Sequence, residues 1–272
     1  MTGGSAMTPT PTLALHELHD GGGMPLVLLP AYPLDSRVWR SMAKVLPWGV
    51  RAIGVDLPGQ GHSDIGGLAP SLELAADAVF RTLREHGIGN AIVCGLSMGG
   101  YAALALAERH PSFVAGLGLV DTNANADDEA MQARRIKIAR DVEMSQTLDP
   151  AMSMPGILLG QTSLSDRRQL LATIEGWVRG QAPNGIAWAQ RAMARRPNRM
   201  DTLRDFDGPV AVLVGSEDRL TTVEDATAMK EAAIDGTLTV IPNCGHLAPV
   251  EDPRLVAKAL AALHARVVPH RR

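Results

Sequence analysis

Cysteine is nearly absent from this sequence: Cys94 and Cys244 are the only two in 272 residues, so no disulfide framework holds the fold together. Aromatic residues make up only 3% of the chain, and an apolar pocket would have to be lined mainly by Leu, Met, Ile and the few Trp. A surplus of positive charge is also missing. The formal net charge is −3 and the isoelectric point near 6.2, which removes nucleic acid as an expected partner. No stretch approaches the ~18 consecutive apolar residues that would cross a bilayer, so no membrane partner is expected. Neither H-E-x-x-H nor C-x-x-C nor a Gly-rich loop ending in Lys-Ser or Lys-Thr occurs, and hence no metal ion or cofactor is expected. The stretch Met1 to Pro11 (MTGGSAMTPTP) has neither a basic nor an apolar region. It is read as a disordered leader rather than a signal peptide, on an otherwise cytoplasmic protein.

What is present is a repeating alternation. Short apolar runs at Leu26–Pro30, Val50–Val55, Ala91–Gly95, Val114–Val120, Val210–Gly215 and Thr237–Pro242 read as strands covered on both faces, and Thr12–Leu18 (TLALHEL) offers one more strand before them. Helical patterns separate them at Ser36–Leu46, Ser71–His86, Met98–His110, Val223–Ala233 and Pro253–Val267. Ser71 and Asp252 stand where helix caps belong, with Pro253 at a first helical position. This alternation specifies an α/β fold: a mostly parallel sheet of seven main strands, with an eighth only as a stub, and helices on both faces.

The rhythm breaks once. Residues 123–205 carry helical patterns (near Asp127–Glu143, Ala151–Leu159, Asp166–Gly180 and Gly185–Arg195) and no strand candidate. They are read as an all-helical lid inserted into a core formed by residues 12–122 and 206–272. The lid holds 12 Lys or Arg against 10 Asp or Glu, a slight excess read as a solvated helical face rather than a preference for anionic substrates.

The chemistry concentrates at Gly95-Leu96-Ser97-Met98-Gly99, followed by Gly100. An apolar strand precedes it and an Ala-rich helix follows. That is the context in which a serine sits on a sharp, strained turn at a helix N-terminus, with glycines where side chains would clash. A serine hydroxyl needs a neighbouring base at neutral pH. His246, in Asn243-Cys244-Gly245-His246 directly after the last strand, is the candidate. His16, His19, His86, His110, His264 and His270 lie in settings that suit exposed or capping histidines. The base in turn needs an orienting acid. Asp218, after the strand Val210–Gly215, is placed for it, with Glu217 a local rival and Asp121 a distant one. The order Ser97, Asp218, His246 is the chain order of such a triad on an α/β sheet. The backbone amides of Met98 and of Tyr32, in the loop after Leu26–Leu29, are the candidate donors to an oxyanion. Met152, Met154, Ile157, Leu158, Trp177 and Trp188 in the lid are candidate pocket residues.

Taken in order, LLPAYPLDSRVW, GVDLPGQGHSD, GLSMGGYAALALAERHP, VLVGSEDRLT and NCGHLAPVEDP resemble the α/β-hydrolase superfamily, in the capped branch of small esterases, enol-lactonases, acyl-homoserine lactonases and C–C bond hydrolases. The resemblance covers nearly the whole chain outside the leader and lid. It implies a serine hydrolase acting on a small to medium carboxylic ester or lactone. Alternatives are a C–C bond hydrolase, perhydrolase or lyase on the same triad, or a non-catalytic ligand receptor. A serine at position 97 excludes the haloalkane dehalogenase and epoxide hydrolase branches, whose nucleophile is aspartate. The chain departs from its relatives at Pro30-Ala31, where they usually carry His-Gly. DLPGQGHSD is assigned a structural role, without catalytic work for His62.

Overall fold

The computed structural model describes residues 11–268; nearly all of the Met1–Pro11 leader lies outside them. Seven strands form one sheet: β1 (Leu15–His19), β2 (Gly21–Leu29), β3 (Gly49–Val55), β4 (Ala91–Leu96), β5 (Val114–Val120), β6 (Val210–Gly215) and β7 (Gly236–Ile241). Their order across the sheet is β1-β3-β2-β4-β5-β6-β7, with β1 antiparallel to β3 and every other pairing parallel. The central strands are apolar without alternation because both faces are covered: Leu26 to Leu29, Ala91 to Cys94 and Val210 to Val214 are all buried. No eighth strand occurs among the described residues.

The helices of the core are α1 (Arg40–Ala43), α2 (Leu72–Glu85) and α3 (Met98–Arg109) before the insertion. Ser71 accepts a hydrogen bond from the Leu74 amide at 3.2 Å, starting α2 as its sequence suggests. The segment expected to be one helix from Ser36 to Leu46 is instead a 3-10 turn, Ser36–Trp39, running into the single turn α1. The Ala-rich α3 is buried along Met98 to Ala107 and packs on β2, β4 and β5, where small side chains allow close approach.

Between β5 and β6 the regular elements are all helices: α4 (Glu129–Ser145), α5 (Met154–Leu158), α6 (Gln161–Asp166), α7 (Arg168–Arg179), α8 (Pro183–Ala194) and α9 (Met200–Arg204). The short α6 and α9 are absent from the sequence reading because each is too brief to show a helical period. After the insertion come α10 (Val223–Ala232), α11 (Ala248–Glu251) and α12 (Pro253–Val267). Asp252 caps α12 through the Leu255 amide at 3.0 Å, with Pro253 in its first turn.

The insertion is fastened to the core by specific contacts rather than by apolar packing alone. Gln181 donates to Asp35 at 2.7 Å and accepts from the Gly61 amide at 3.0 Å. Trp188 donates its indole N–H to the Leu68 carbonyl at 2.8 Å. Arg199 pairs with Glu108 at 3.1 Å and with Glu73. The turn Asp56–Asp64 forms the facing surface. The Asp56 carboxylate holds it, accepting from the Ser36 amide at 2.9 Å, the His62 amide at 3.0 Å and the His16 ring at 2.8 Å.

The tightest of these contacts joins two backbones: a Cβ on Gly185 of α8 would lie 1.8 Å from the Gly59 carbonyl oxygen. Gly185→Ala therefore has to push α8 off the core. It is expected to lower stability by about 1–3 kcal/mol, the usual range for overpacking. A shift in the denaturant midpoint at unchanged slope checks this.

Candidate active site

The site is assembled at one end of the parallel strands. Ser97 follows β4 directly and caps α3 in a conformation side chains rarely adopt, φ 53° and ψ −116°. The surrounding glycines explain how the chain tolerates it. A Cβ on Gly95 would lie 2.1 Å from the Gly99 carbonyl oxygen, and one on Gly99 would lie 2.2 Å from the carbonyl oxygen of Leu29. Glycine at 99 thus brings the elbow against the end of β2, where the Tyr32 loop begins. The Ser97 backbone is held from both sides, its amide donating to Val120 at 2.9 Å and its carbonyl accepting from the Thr122 hydroxyl at 2.8 Å.

The structure brings Ser97, His246 and Asp218 into one hydrogen-bonded line. Ser97 Oγ lies 2.7 Å from His246 Nε2, and His246 Nδ1 lies 2.7 Å from Asp218 Oδ2. Burial alone would push the His246 imidazole down; the facing Asp218 carboxylate outweighs it, with Asp121 and Glu251 adding to the effect, so the ring titrates above the ordinary histidine value. For Asp218, burial would raise the carboxyl, but the His246 charge and the hydrogen bonds it accepts hold it below the usual carboxylate range. Those bonds come from the Leu220 amide at 2.8 Å, the Thr221 amide at 3.2 Å and the Thr221 hydroxyl at 2.6 Å.

Both rival acids are occupied elsewhere. Glu217 accepts from the Thr162 amide at 2.8 Å and from the Thr162 hydroxyl at 2.5 Å, so it ties the β6 loop to α6. Asp121 is fully buried with φ 44°, and accepts from the Gly215 amide at 2.8 Å and the Ala248 amide at 3.0 Å. Burial, reinforced by the Asp218 charge, pushes Asp121 up to about 8.

The amides of Tyr32 and Met98 donate to no acceptor among the described residues, which leaves both available to a bound oxyanion. At the departure Pro30-Ala31, Ala31 is not among the non-glycine residues with positive φ, so this turn does not need the glycine found in relatives. The Ala31 carbonyl accepts from the Leu34 amide at 2.8 Å and from Gln60 at 3.3 Å.

Ser97 and His246 open onto a cavity of about 330 Å³ beneath the insertion. Of the residues expected to line it, Met154, Ile157 and Leu158 do so. Met152, Trp177 and Trp188 do not: Met152 packs on the core, Trp177 lies beside the Arg37 guanidinium at 5.8 Å, and Trp188 is turned to Leu68. The wall also includes Tyr32, Tyr101, Arg135, Gln190 and Arg196, among which only Tyr32 was singled out in the sequence. Cys94 is buried and pushed up to about 12 by burial, and burial likewise raises the Cys244 thiol, so neither offers a thiolate.

If Asp121 is a brace rather than the acid, its loss is paid in stability. Asp121→Ala leaves two buried amides unpaired and is expected to cost about 2–4 kcal/mol in denaturant unfolding. A change within about 0.5 kcal/mol, as at an ordinary surface position, would contradict that role.

Comparison with known proteins agrees with this architecture. A thermophilic esterase from Thermogutta terrifontis, solved with malate bound, superposes at a TM-score of 0.91 with 30% identity, over 97% of this chain and 96% of that one. An enol-lactonase from Burkholderia xenovorans superposes at 0.80 with 20% identity over 93% and 97%, a likeness of fold. A pimeloyl-(acyl-carrier protein) methyl ester esterase from Nitrosomonas europaea is 26% identical over 262 residues, 92% of this chain and 99% of that protein. The model of the alpha/beta hydrolase family matches residues 26–259, and the chain belongs to that family.

Proposed function

We propose that the chain is a serine esterase that cleaves a small to medium carboxylic ester or lactone through an acyl-enzyme on Ser97. The observation that carries this reading is the unbroken line from Ser97 through His246 to Asp218, with both links at 2.7 Å, facing a cavity. In the first half-reaction Ser97 Oγ attacks the carbonyl carbon while His246 Nε2 takes the hydroxyl proton. Asp218 accepts the Nδ1–H bond, keeping the ring in the tautomer whose Nε2 is free, and stabilises the imidazolium that forms. The Met98 and Tyr32 amides receive the negative charge on the carbonyl oxygen. As the carbon–oxygen bond breaks, His246 returns its proton to the leaving alkoxide. Water then repeats the sequence on the acyl-enzyme, restoring Ser97 and releasing the acid. With a lactone the alcohol stays attached to the acyl group and leaves with it in the second step.

The helical insertion, residues 123–205, acts in this reading as a lid. It supplies Met154, Ile157 and Leu158 to the cavity, and its volume of about 330 Å³ suits a small or medium substrate. The esterases among the similar proteins support the ester class.

A panel of p-nitrophenyl esters from acetate to laurate, with a γ-lactone and an enol-lactone, tests the proposal on wild type and Ser97→Ala. Ser97→Ala is expected to lower kcat by about 10⁴-fold or more, and retained turnover would overturn the assignment. The base works only when neutral, and its protonated form is favoured here. The acid limb of kcat/KM should therefore rise with a midpoint above the ordinary histidine value of about 6.5. A midpoint below that value would show that burial, rather than Asp218, dominates the ring.

A further inference from the structure

The cavity is lined by two chemically different sets of residues. One is Ser97 and His246 with the apolar Met154, Ile157 and Leu158 of α5; the other is Arg135, Arg196, Gln190, Tyr32 and Tyr101. Charge in the second set is not balanced. Arg135 Nε lies 2.5 Å from Asp127 Oδ2, and Arg196 lies 2.8 Å from the same oxygen, so two guanidinium groups share one carboxylate. The neighbouring Asp128, which caps α4 through the Met131 amide at 2.7 Å, also lines the wall with its charge, but Arg134 lies there too, so the wall keeps three arginines against two carboxylates.

Unused donors lie in the same region. Arg196 is 7% exposed, stacked 4.0 Å over the Tyr101 ring, and its buried Nε has no partner. Tyr32 is 5% exposed and its hydroxyl is likewise buried and unpartnered. Burial pushes that hydroxyl up to about 12 against the Gln190 side chain, which approaches its oxygen, and the Arg135 charge, so its own proton is kept and left to donate. Buried guanidinium and hydroxyl donors without acceptors are costly unless a ligand supplies the acceptors. A carboxylate is acceptor-only, carries the one negative charge the cluster lacks, and matches the planar fork of arginine.

We propose that the substrate carries a carboxylate besides its ester or lactone group, held by Arg135 and Arg196 with the Tyr32 hydroxyl while Ser97 faces the scissile carbonyl. This rests on the esterase reading and narrows it: the preferred substrates are half-esters of dicarboxylic acids and their like, with an aliphatic stretch along Met154, Ile157 and Leu158. Two of the insertion's arginines thus belong to the cavity rather than to the solvated face that the charge count suggested.

The test compares monoethyl and diethyl esters of succinate, glutarate and adipate. Wild type is expected to favour the monoesters at least tenfold in kcat/KM, and Arg135→Gln to reduce that preference at least tenfold, mainly through KM. Arg140→Gln, an exposed charge on the same helix, should leave the preference unchanged. A wild type that favours the diesters, or an Arg135→Gln loss equal for both series, would overturn the proposal. Glutarate binding to Ser97→Ala, followed by calorimetry, separates the two readings and does not depend on turnover. Binding lost in Ser97→Ala/Tyr32→Phe and in Ser97→Ala/Arg135→Gln sustains the carboxylate site even if no ester is cleaved. Absence of glutarate binding to Ser97→Ala, while the wild type still cleaves neutral esters, removes the site and leaves the esterase standing.

Discussion

The structure depends on holding one buried imidazole still between a hydroxyl and a carboxylate. His246 lies in a loop between β7 and α11, where no ladder fixes the backbone, yet the loop is buried and its amides must be paired. Carboxylates do the work of a ladder. Glu251 accepts from the Gly245 amide at 2.9 Å and the Leu247 amide at 3.3 Å, and Asp121 accepts from Ala248 at 3.0 Å. The His246 amide itself donates to the Leu158 carbonyl at 2.8 Å. The groups that anchor the loop also act on its chemistry: Asp121 and Glu251 reinforce the Asp218 charge in raising the ring against the effect of burial. Anchoring and pKa tuning are one arrangement here.

That arrangement extends into the helical insertion. Glu251 also accepts from the Gly160 amide at 2.9 Å and the Ser163 hydroxyl at 2.5 Å. Gly160 and Gly245 meet so closely that a Cβ on Gly160 would lie 2.6 Å from the Gly245 amide nitrogen. The corner between α5 and α6 and the base loop therefore form one packed unit. Met154, Ile157 and Leu158 stand on α5, so the apolar wall of the cavity is registered against the base itself. The other wall comes from α4 and α8, which pack on each other and carry Arg135 and Gln190. An insertion built in this way places the substrate by the same contacts that place the histidine.

Much of this was legible in the residues. Near-continuous apolar runs marked the central strands, because a sheet covered on both faces there has no polar side to show; the edge strands β1 and β7 keep one side partly open, and β1 (LHELH) showed only a weak apolar pattern. The elbow was legible because a strained serine requires small neighbours, and the order Ser97, Asp218, His246 follows from the strand order. Glu251, Asp121 and Arg196 were not recognised for what they do, since pairing across the chain leaves no local pattern. Gly160 donates to a carboxylate 91 positions away. The pocket was half legible. An apolar residue on an amphipathic helix shows that one face is buried, but not what covers it, and so Trp177 and Trp188 read like Met154 and Ile157 although they face the core surface. The 3-10 turn at Ser36–Trp39 escaped notice because its apolar spacing is that of a short helix, while the Asp35 carboxylate, which accepts from the Arg37 amide at 3.0 Å, sets a tighter start.

The central claim is that Ser97 is a nucleophile activated by His246. Intact-mass spectrometry after treatment with a fluorophosphonate, with peptide mapping of the adduct, tests it without any choice of substrate. The account predicts one phosphonyl group per chain, located on Ser97, and slowed by orders of magnitude in His246→Ala. An unlabelled folded protein, or an adduct that persists in Ser97→Ala, would contradict it.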